Sequence, residues 1–247
     1  MPKQSGLGDQ LYCGGYDLSG DIGAIGSVAG GNAPLDVTAI DKSGYERLGG
    51  KRDGGLEFTA FFNPDAAQAH VALSPLPTAD VIVAYFRGTT LGNAAACLVG
   101  KQIGYDATRN EDGSLTFKVA AQANGFGLEW GTQLTAGKRT ESVATNGAGV
   151  DLAASTAFGL QAYLQVFAIA SGSATIKLQH SSDNGGGDPY ADIANGAFAA
   201  VAAAPGSQRI ANTTNPVKQW VRCVTTGVFS GLTFAVVVAK NPVAVTF

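Results

Sequence analysis

Residues 111–122 have the sequence EDGSLTFKVAAQ, and they indicate most directly which secondary structure this chain forms. Leu115, Phe117 and Val119 alternate with a polar threonine and a lysine. Alternation with a period of two is typical of a strand that has one buried face. The Glu-Asp-Gly at residues 111–113 favours a tight turn, because glycine tolerates the positive φ that hairpin turns require. The segment therefore predicts one strand of a β-hairpin.

Similar runs recur along the whole chain, separated by short segments rich in glycine, asparagine and aspartate. We expect further strands at residues 36–40, 56–62, 80–87, 95–104, 127–134, 159–170, 174–180, 217–225 and 232–240. Long loops are expected at residues 181–192 and 202–216. This spacing of strands and turns is typical of antiparallel sandwiches and not of alternating strands and helices. A second hairpin turn is expected at Lys51-Arg-Asp-Gly-Gly55.

One short helix is predicted within this β background. Asn63 is a suitable N-cap, Pro64 suits the first helical position and Asp65 favours the positive end of the helix dipole. The helix is expected to continue over residues 66–73 and to end before Pro75 and Pro77. Its small apolar residues predict close packing on a sheet.

The composition is poor in charge and rich in glycine. Only 14% of the 247 residues are charged, and 34 are glycine. The apolar runs at residues 158–170 and 229–239 are shorter than the ~20 residues of a membrane helix, so no membrane span is predicted. The start of the chain, MPKQSG, lacks the pattern of a secretory signal, which predicts folding in a cytoplasm.

Two domains are predicted, at residues 1–140 and 150–247, with residues 141–149 as a linker of small polar residues. Residues 1–140 carry 11 basic and 14 acidic side chains, whereas residues 141–247 carry five of each. Neither part has the basic excess of a nucleic-acid-binding domain. The two parts share no repeat, so they are expected to be different domains.

The sequence offers little material for catalysis, and we expect neither an enzyme nor a bound cofactor. His70 and His180 are the only histidines, and none of the common nucleotide, zinc-protease or nucleophile motifs occurs. The glycines of residues 23–31 have the wrong spacing for a phosphate loop and favour a flexible loop or a strand bend. Cys13, Cys97 and Cys223 are odd in number and far apart, so we predict buried thiols without disulfides or zinc.

Two other segments are weighed as sites. Residues 183–192 place three aspartates and an asparagine close together, which could serve a cation, but the EF-hand spacing is missing and a plain loop is favoured. Trp220 lies in a predicted strand, where a core or interface position is favoured over stacking on a glycan. No metal site is predicted.

Residues 41–53 mix charges of both signs within a glycine-broken hairpin loop. Such a loop is either a solvated tip or a self-complementary contact between subunits. The candidate contact residues are Asp41, Lys42, Tyr45, Glu46, Arg47, Lys51, Arg52 and Asp53.

The run from Leu35 to Pro64, LDVTAIDKSGYERLGGKRDGGLEFTAFFNP, resembles the major tail proteins, or tail tube proteins, of long non-contractile-tailed bacteriophages. In that family a segment of the form DVTxxD…ER…G…DGG…F precedes a single helix. The resemblance continues through Tyr105-Asp106, residues 112–117 and residues 127–131, and covers nearly all of the first domain. The second domain looks like the C-terminal domain of some actinobacteriophage tube proteins.

The resemblance implies a structural virion protein and not an enzyme. It implies hexameric rings in which strands of the first domain form a continuous inner β-barrel, stacked into a tube through which double-stranded DNA passes to the host. The second domain would be a β-sandwich of jelly-roll or immunoglobulin-like type that decorates the outside.

The implied partners are further copies of the chain, the tape measure protein, and the tail terminator and tail-tip proteins. Assembly would take place in the bacterial cytoplasm. The scarcity of charge suits surfaces that are buried between identical subunits, and a mildly acidic lumen would let DNA slide. The alternative is a virion decoration or carbohydrate-binding module that contacts a host surface glycan through its second domain.

Overall fold

The structure is a computed structural model, and it describes residues 5–76 and 79–246. The described residues form antiparallel sheets and one short α-helix, so the all-β prediction is confirmed. Residues 1–4 and Pro77, which entered the predictions of the chain start and the helix end, lie outside the described residues. No helix in the described part of the chain is long and apolar enough to cross a membrane.

The elements are numbered in chain order. The strands are β1 (Gln10–Cys13), β2 (Tyr16–Asp17), β3 (Ile22–Asp36), β4 (Arg47–Phe61), β5 (Val81–Phe86), β6 (Ala94–Arg109), β7 (Leu115–Ala123), β8 (Glu129–Gln133), β9 (Arg139–Glu141), β10 (Val150–Asp151), β11 (Leu160–Ala168), β12 (Ser171–Ser181), β13 (Ala191–Ala197), β14 (Gly206–Asn212), β15 (Trp220–Ser230) and β16 (Leu232–Lys240). The helix α1 spans Ala69–Leu73.

The predicted hairpin turn at residues 111–113 is confirmed between β6 and β7. Gly113 has a φ of 87°, and the Asp112 carboxylate accepts a hydrogen bond from the backbone N–H of Ser114 at 2.9 Å. Leu115 is half-buried, whereas Phe117 and Val119 are buried in the core. The alternation in the sequence therefore identified the buried face of β7.

Strand β6 joins two parts of the first half of the chain. Its residues 95–100 pair with β5, and its residues 100–109 pair with β7. A bulge between Gln102 and Gly104 interrupts the register, and bulges bend strands. Four strands then follow side by side in the order β3-β4-β7-β6, and every neighbouring pair is antiparallel.

The second half of the chain is a β-sandwich. Strands β14, β11 and β16 belong to one sheet, and β10, β15, β12 and β13 form the other. Their facing side chains make one apolar cluster, in which Leu164, Ile176 and Phe234 have no exposed surface. Burial of such side chains is the main stabilising contribution to a sandwich.

The two halves of the chain are continuous with each other. Strand β8 pairs with β16 through Gln133 and Thr132, so one sheet extends from the first half into the second. A second apolar cluster contains Tyr12 and Phe86 of the first half together with Tyr163 of the second. The halves therefore share both backbone hydrogen bonds and a core.

The predicted linker at residues 141–149 lies against the β-sandwich of the second half of the chain, which we call the second sandwich. Glu141 ends β9, which pairs with β16. Further along, the backbone N–H of Gly147 donates to the carbonyl of Cys223 at 2.8 Å. The division of the chain into separate domains at this segment stays a prediction.

The helix is shorter than predicted and has a different cap. It begins at Ala69, because Ala67 has a φ of 64° that interrupts helical geometry. Asn63 and Asp65 lie in the preceding turn, where the Asn63 side chain accepts the backbone N–H of Asp65 at 3.2 Å. Gln68 is the N-cap residue and makes no capping bond with its side chain; the carboxylate of Asp21 instead accepts the backbone N–H of Ala69 at 2.9 Å.

Four further predictions differ from the structure in whole or in part. Residues 37–40 lie in a loop, because the Asp36 carboxylate accepts bonds from Thr38 and turns the chain. The hairpin turn expected at residues 51–55 is not formed, because these residues belong to β4. The glycine-rich residues 23–31, expected in a flexible loop or a strand bend, lie in β3, whose register shifts in this stretch. Residues 206–212, expected in a loop, form β14. Strands β3 and β14 lack a clear apolar period, and their pairing with β4 and β11 supplies the stabilisation.

Candidate assembly surface

The β3-β4-β7-β6 sheet has an open edge on each side. Strand β3 is bonded to β4 alone, and residues 101–109 of β6 are bonded to β7 alone. Among the described residues, no strand pairs with the outer side of either one. Open edges present unpaired backbone N–H and C=O groups, which can bind a strand of another chain.

The edge at β3 has little protection against such pairing. Strand β3 is 15 residues long and carries no charged side chain from Ile22 to Leu35. Isolated proteins commonly protect their edges with lysines or with very short strands. The only features of β3 that hinder pairing at its edge are one proline, Pro34, and three register shifts. Its edge therefore favours assembly with another chain.

The face of this sheet that points away from the core carries several small side chains. A shallow groove crosses it, lined among others by Ala29, Gly55, Ala120 and Ile103. The register places Ala29 beside Gly55 and Gly55 beside Gln122 on neighbouring strands. The middle of this face therefore has little side-chain bulk along the row of Ala29 and Gly55.

The charges on this face are nearly balanced. Lys118 lies 3.5 Å from the Glu57 carboxylate, and the register places Asp106 beside Lys118. The Asp53 carboxylate accepts a bond from the Gln122 side chain at 3.3 Å. Lys101, at the edge, is paired with Asp80 at 2.8 Å. No cationic cluster of the kind that holds a phosphate backbone is present on this described surface.

The β3–β4 hairpin projects from the sheet. We call its outer part, residues 29–55, the arm; nearly all of its residues are exposed. Five large apolar side chains are exposed near the end of the arm, at Leu35, Val37, Ile40, Tyr45 and Leu48. Tyr45 is 74% exposed, and Ile40 is completely so. A contiguous group of exposed apolar side chains is typical of a protein–protein contact.

The charged contact residues predicted from the sequence all lie on the arm. Asp41, Lys42, Tyr45 and Glu46 are in the loop between the strands, whereas Arg47, Lys51, Arg52 and Asp53 belong to β4. Lys42 is 3.8 Å from Glu46. The Arg47 guanidinium lies 4.7 Å from the centre of the Tyr45 ring. The structure thus brings the predicted residues together, and their role in contact stays a prediction.

The two tryptophans lie on different elements. Trp220 begins β15 beside Asp151 of β10 and is half-buried. Trp130 of β8 is the more exposed of the two, at 53%. The glycan-stacking role of Trp220 stays a prediction.

The aspartates of residues 183–192 are bound by groups of the protein itself. Asp183 accepts the backbone N–H groups of Gly186, Gly187 and Asp188. The Lys218 ammonium, which donates to Asp188 at 2.7 and 2.8 Å, holds the pKa of that carboxyl at about 2. Asp192 accepts bonds from Lys177 and Gln179. In residues 5–76 and 79–246, no group of three or more potential ligands is arranged to hold a metal ion.

His70 and the three cysteines are packed against structural neighbours. His70 Nδ1 and the Tyr105 hydroxyl are hydrogen-bonded at 2.8 Å. The three cysteines are free and buried, as predicted. Burial raises the pKa of Cys13 to about 12 and that of Cys223 to about 11, so these thiols are poor nucleophiles.

The buried carboxylate of Glu129 was not recognisable from the sequence. The Tyr163 hydroxyl donates to it, and the guanidinium groups of Arg52 and Arg209 lie 3.4 and 3.7 Å from it. These partners are 34 to 80 positions away from it in the chain, so local spacing could not reveal the group. Burial raises the pKa of Tyr163 well above its usual range.

Comparison with known proteins finds similarity among solved structures alone. No family model and no curated protein sequence matches the chain. Among solved structures, the chain is similar to SPP1 Dit, described as a paradigm of the hub adsorption apparatus in phages that infect Gram-positive bacteria. The identity is 10%, the TM-score is 0.34, and the match covers 94% of this chain and 99% of that one.

A second similar chain comes from the baseplate of phage p2 in its activated conformation with Sr. The identity is 7%, the TM-score is 0.30, and the match covers 94% of this chain and 98% of that one. Similarity at this level establishes neither a family nor a function.

Proposed function

We propose that this chain is a structural subunit of a phage tail, which closes into hexameric rings that stack into a hollow tube. The observation that carries the proposal is the pair of open edges on the β3-β4-β7-β6 sheet. Pairing of β3 in one copy with β6 in the next would satisfy both edges. The motifs between Leu35 and Pro64 support the same reading through their resemblance to tail tube proteins.

The number of strands in the sheet permits such a ring. Four antiparallel strands place β3 and β6 in opposite directions. In copies related by rotation, β3 of one copy therefore runs antiparallel to β6 of the next. Six copies would contribute ~24 strands, and strands spaced about 4.8 Å apart and tilted by about 40° close a barrel roughly 40–50 Å across. That opening is wider than a DNA duplex.

The face of the sheet that points away from the core is placed toward the lumen in this proposal. Glu57 neutralises Lys118, and Asp53 adds a further carboxylate. DNA binding depends on cationic groups that displace counterions from the phosphates. A wall with small side chains and paired lysines would therefore let DNA pass without being retained.

The arm and the second sandwich have separate roles in the proposed tube. The exposed apolar side chains of the arm would be buried against the next ring, with the charged residues 41–53 around them. The sandwich at residues 150–247 would lie outside. The tape measure, tail terminator and tail-tip proteins are the further partners that the resemblance implies, and no catalytic activity is proposed.

Negative-stain electron microscopy and light scattering of the concentrated protein test the proposal. Rings or tubes are the expected result, and a protein that stays monomeric at high concentration would contradict it.

A cysteine pair tests which edges meet. In the variant A29C/I103C, the new thiols lie on the same face near the two open edges, so a short bismaleimide should link neighbouring copies into ladders up to hexamers. The matched control A29C/V143C places its second thiol on an exposed residue away from the sheet. Equal ladders from both variants would rule out pairing of β3 with β6.

A further inference from the structure

The connection between β7 and β8 contacts three parts of the molecule at once. We call residues 126–129 the junction segment; they are the end of this connection and the first residue of β8. It touches the arm on one side, follows directly from the β3-β4-β7-β6 sheet, and bonds to the second sandwich on the other side. Its Gly-Leu-Glu sequence belongs to the motifs that resemble tail tube proteins.

Toward the arm, the junction segment fits over two glycines. Gly30 of β3 and Gly54 of β4 are cross-strand neighbours, and Leu128 lies on both. A Cβ added to Gly54 would lie 2.6 Å from the Cβ of Leu128, and one added to Gly30 would lie 2.9 Å from it. Leu128 itself is buried. The base of the arm therefore has no room to move toward this segment.

Toward the second sandwich, the junction segment is bound by charge. The buried Glu129 carboxylate accepts the Tyr163 hydroxyl of β11 and lies 3.7 Å from Arg209 of β14. The same carboxylate lies 3.4 Å from Arg52, which belongs to the arm. One buried carboxylate thus links the arm to two strands of the sandwich.

The Arg209 side chain is itself fixed on several sides. Its guanidinium lies 3.6 Å from the centre of the Phe126 ring. It donates to the Gln161 side chain at 2.8 Å and to the Tyr163 hydroxyl at 3.2 Å. A planar cation held by a ring and by hydrogen bonds has little freedom. The link from the sandwich to Glu129 is therefore rigid.

We propose that the junction segment transmits the position of the second sandwich to the arm, with Glu129 as a positioning residue that sets the angle of the arm for assembly. The second sandwich then has a part in assembly and is more than an outer decoration. Only the consequence for assembly rests on the proposed function; the mechanical link is a property of the single chain.

Hydrogen exchange of the full-length protein tests the mechanical link. In E129Q the arginines lose their buried countercharge, so amides of residues 47–54 should exchange ~10-fold faster or more, because local opening of the arm becomes easier. The matched control is E57Q. It removes a half-exposed carboxylate from β4, the strand that contains residues 47–54, and should leave the exchange rates of these amides unchanged. Equal exchange in E129Q and the wild type would overturn the proposal.

A pair of glycine variants tests the contact with Leu128 independently of charge. G54A adds a methyl group that collides with Leu128, whereas in G55A the new Cβ lies 3.6 Å from the carbonyl of Ala121, an ordinary contact. Neither glycine has a positive φ. Faster arm exchange in G54A but not in G55A is expected, and the same exchange in both variants would count against the proposal.

Assembly is measured on the same variants. If the wild type forms tubes, E129Q should form fewer or misshapen ones when the two are compared at the same concentration of folded protein. Normal tubes from E129Q would overturn the positioning role. If the wild type forms no tubes while E129Q still loosens the arm, the proposed function fails and the mechanical link stands.

Discussion

At the scale of single residues, the acidic loop at residues 183–192 shows how a pattern acquires its meaning from its partners. Three nearby aspartates are compatible with a cation site by composition. In the structure their oxygens face backbone N–H groups, Lys177 and Lys218. The carboxylates thus stabilise the turns of the loop and its attachment to the sheet.

The charge of Asp188 should make this loop sensitive to acid. Its pKa in the folded protein is about 2, chiefly because of the Lys218 ammonium, and the ordinary value of an aspartate is ~3.9. A lowered pKa means that the ionised form contributes stability above pH ~4, and that this contribution is lost as the pH falls through about 2. NMR titration of the Asp188 carboxyl carbon should show this midpoint.

The variant K218M is the matched control for Asp188. Without the ammonium, the midpoint should move up toward the ordinary aspartate value. An unchanged midpoint in K218M would show that the lysine is not the cause.

At the scale of elements, the helix and the arm show that single elements depend on distant segments. Helix α1 has only five residues, far fewer than an isolated helix needs. It persists because Asp21, 48 positions earlier, caps it and because Ala69 and Leu73 are buried on the sheet. The arm likewise owes its base contacts to Leu128 and Glu129.

The cap of α1 can be tested by urea unfolding. D21N should lower the free energy of unfolding by ~1–3 kcal/mol, because the buried backbone N–H of Ala69 and the Asn63 amide lose a charged acceptor. The control D65N alters the exposed residue that the sequence suggested for the helix start, and it should change stability by less than ~0.5 kcal/mol. A larger effect in D65N than in D21N would contradict the observed cap.

At the scale of the whole molecule, the two halves are held together by a sheet, a core and buried polar groups. The Gln165 side chain of β11 accepts the backbone N–H of Gly15 at 2.7 Å and donates to the carbonyl of Ile82 at 2.9 Å. Both partners lie in the first half of the chain. Contacts of this kind, added to the β8–β16 pairing, couple the stability of the halves.

The two tryptophans provide a test of this coupling. W220F leaves Trp130 of β8 as the fluorescent probe, and W130F leaves Trp220 of β15. Because the halves share a core, we expect both probes to report the same midpoint in guanidinium chloride, as in a single cooperative transition. Clearly separate midpoints would show that the halves unfold independently.

The sequence by itself determined the class of the fold and several local features. Periodicity and residue chemistry over a few positions predict the all-β class, the turn at Gly113, the buried face of β7 and the three buried thiols. The clustering of charged residues on the arm was also predictable, because residues 41–53 are contiguous in the chain.

Only the tertiary structure decided which strands pair, which edges stay open and where buried charges find partners. The glycine-rich β3 has no period of its own, and its identity as a strand depends on β4. Glu129 acquires its role from Tyr163 and Arg209, and Asp21 from Ala69. These features could not be predicted because burial and hydrogen bonding depend on contacts between segments far apart in the chain, which local sequence patterns do not encode.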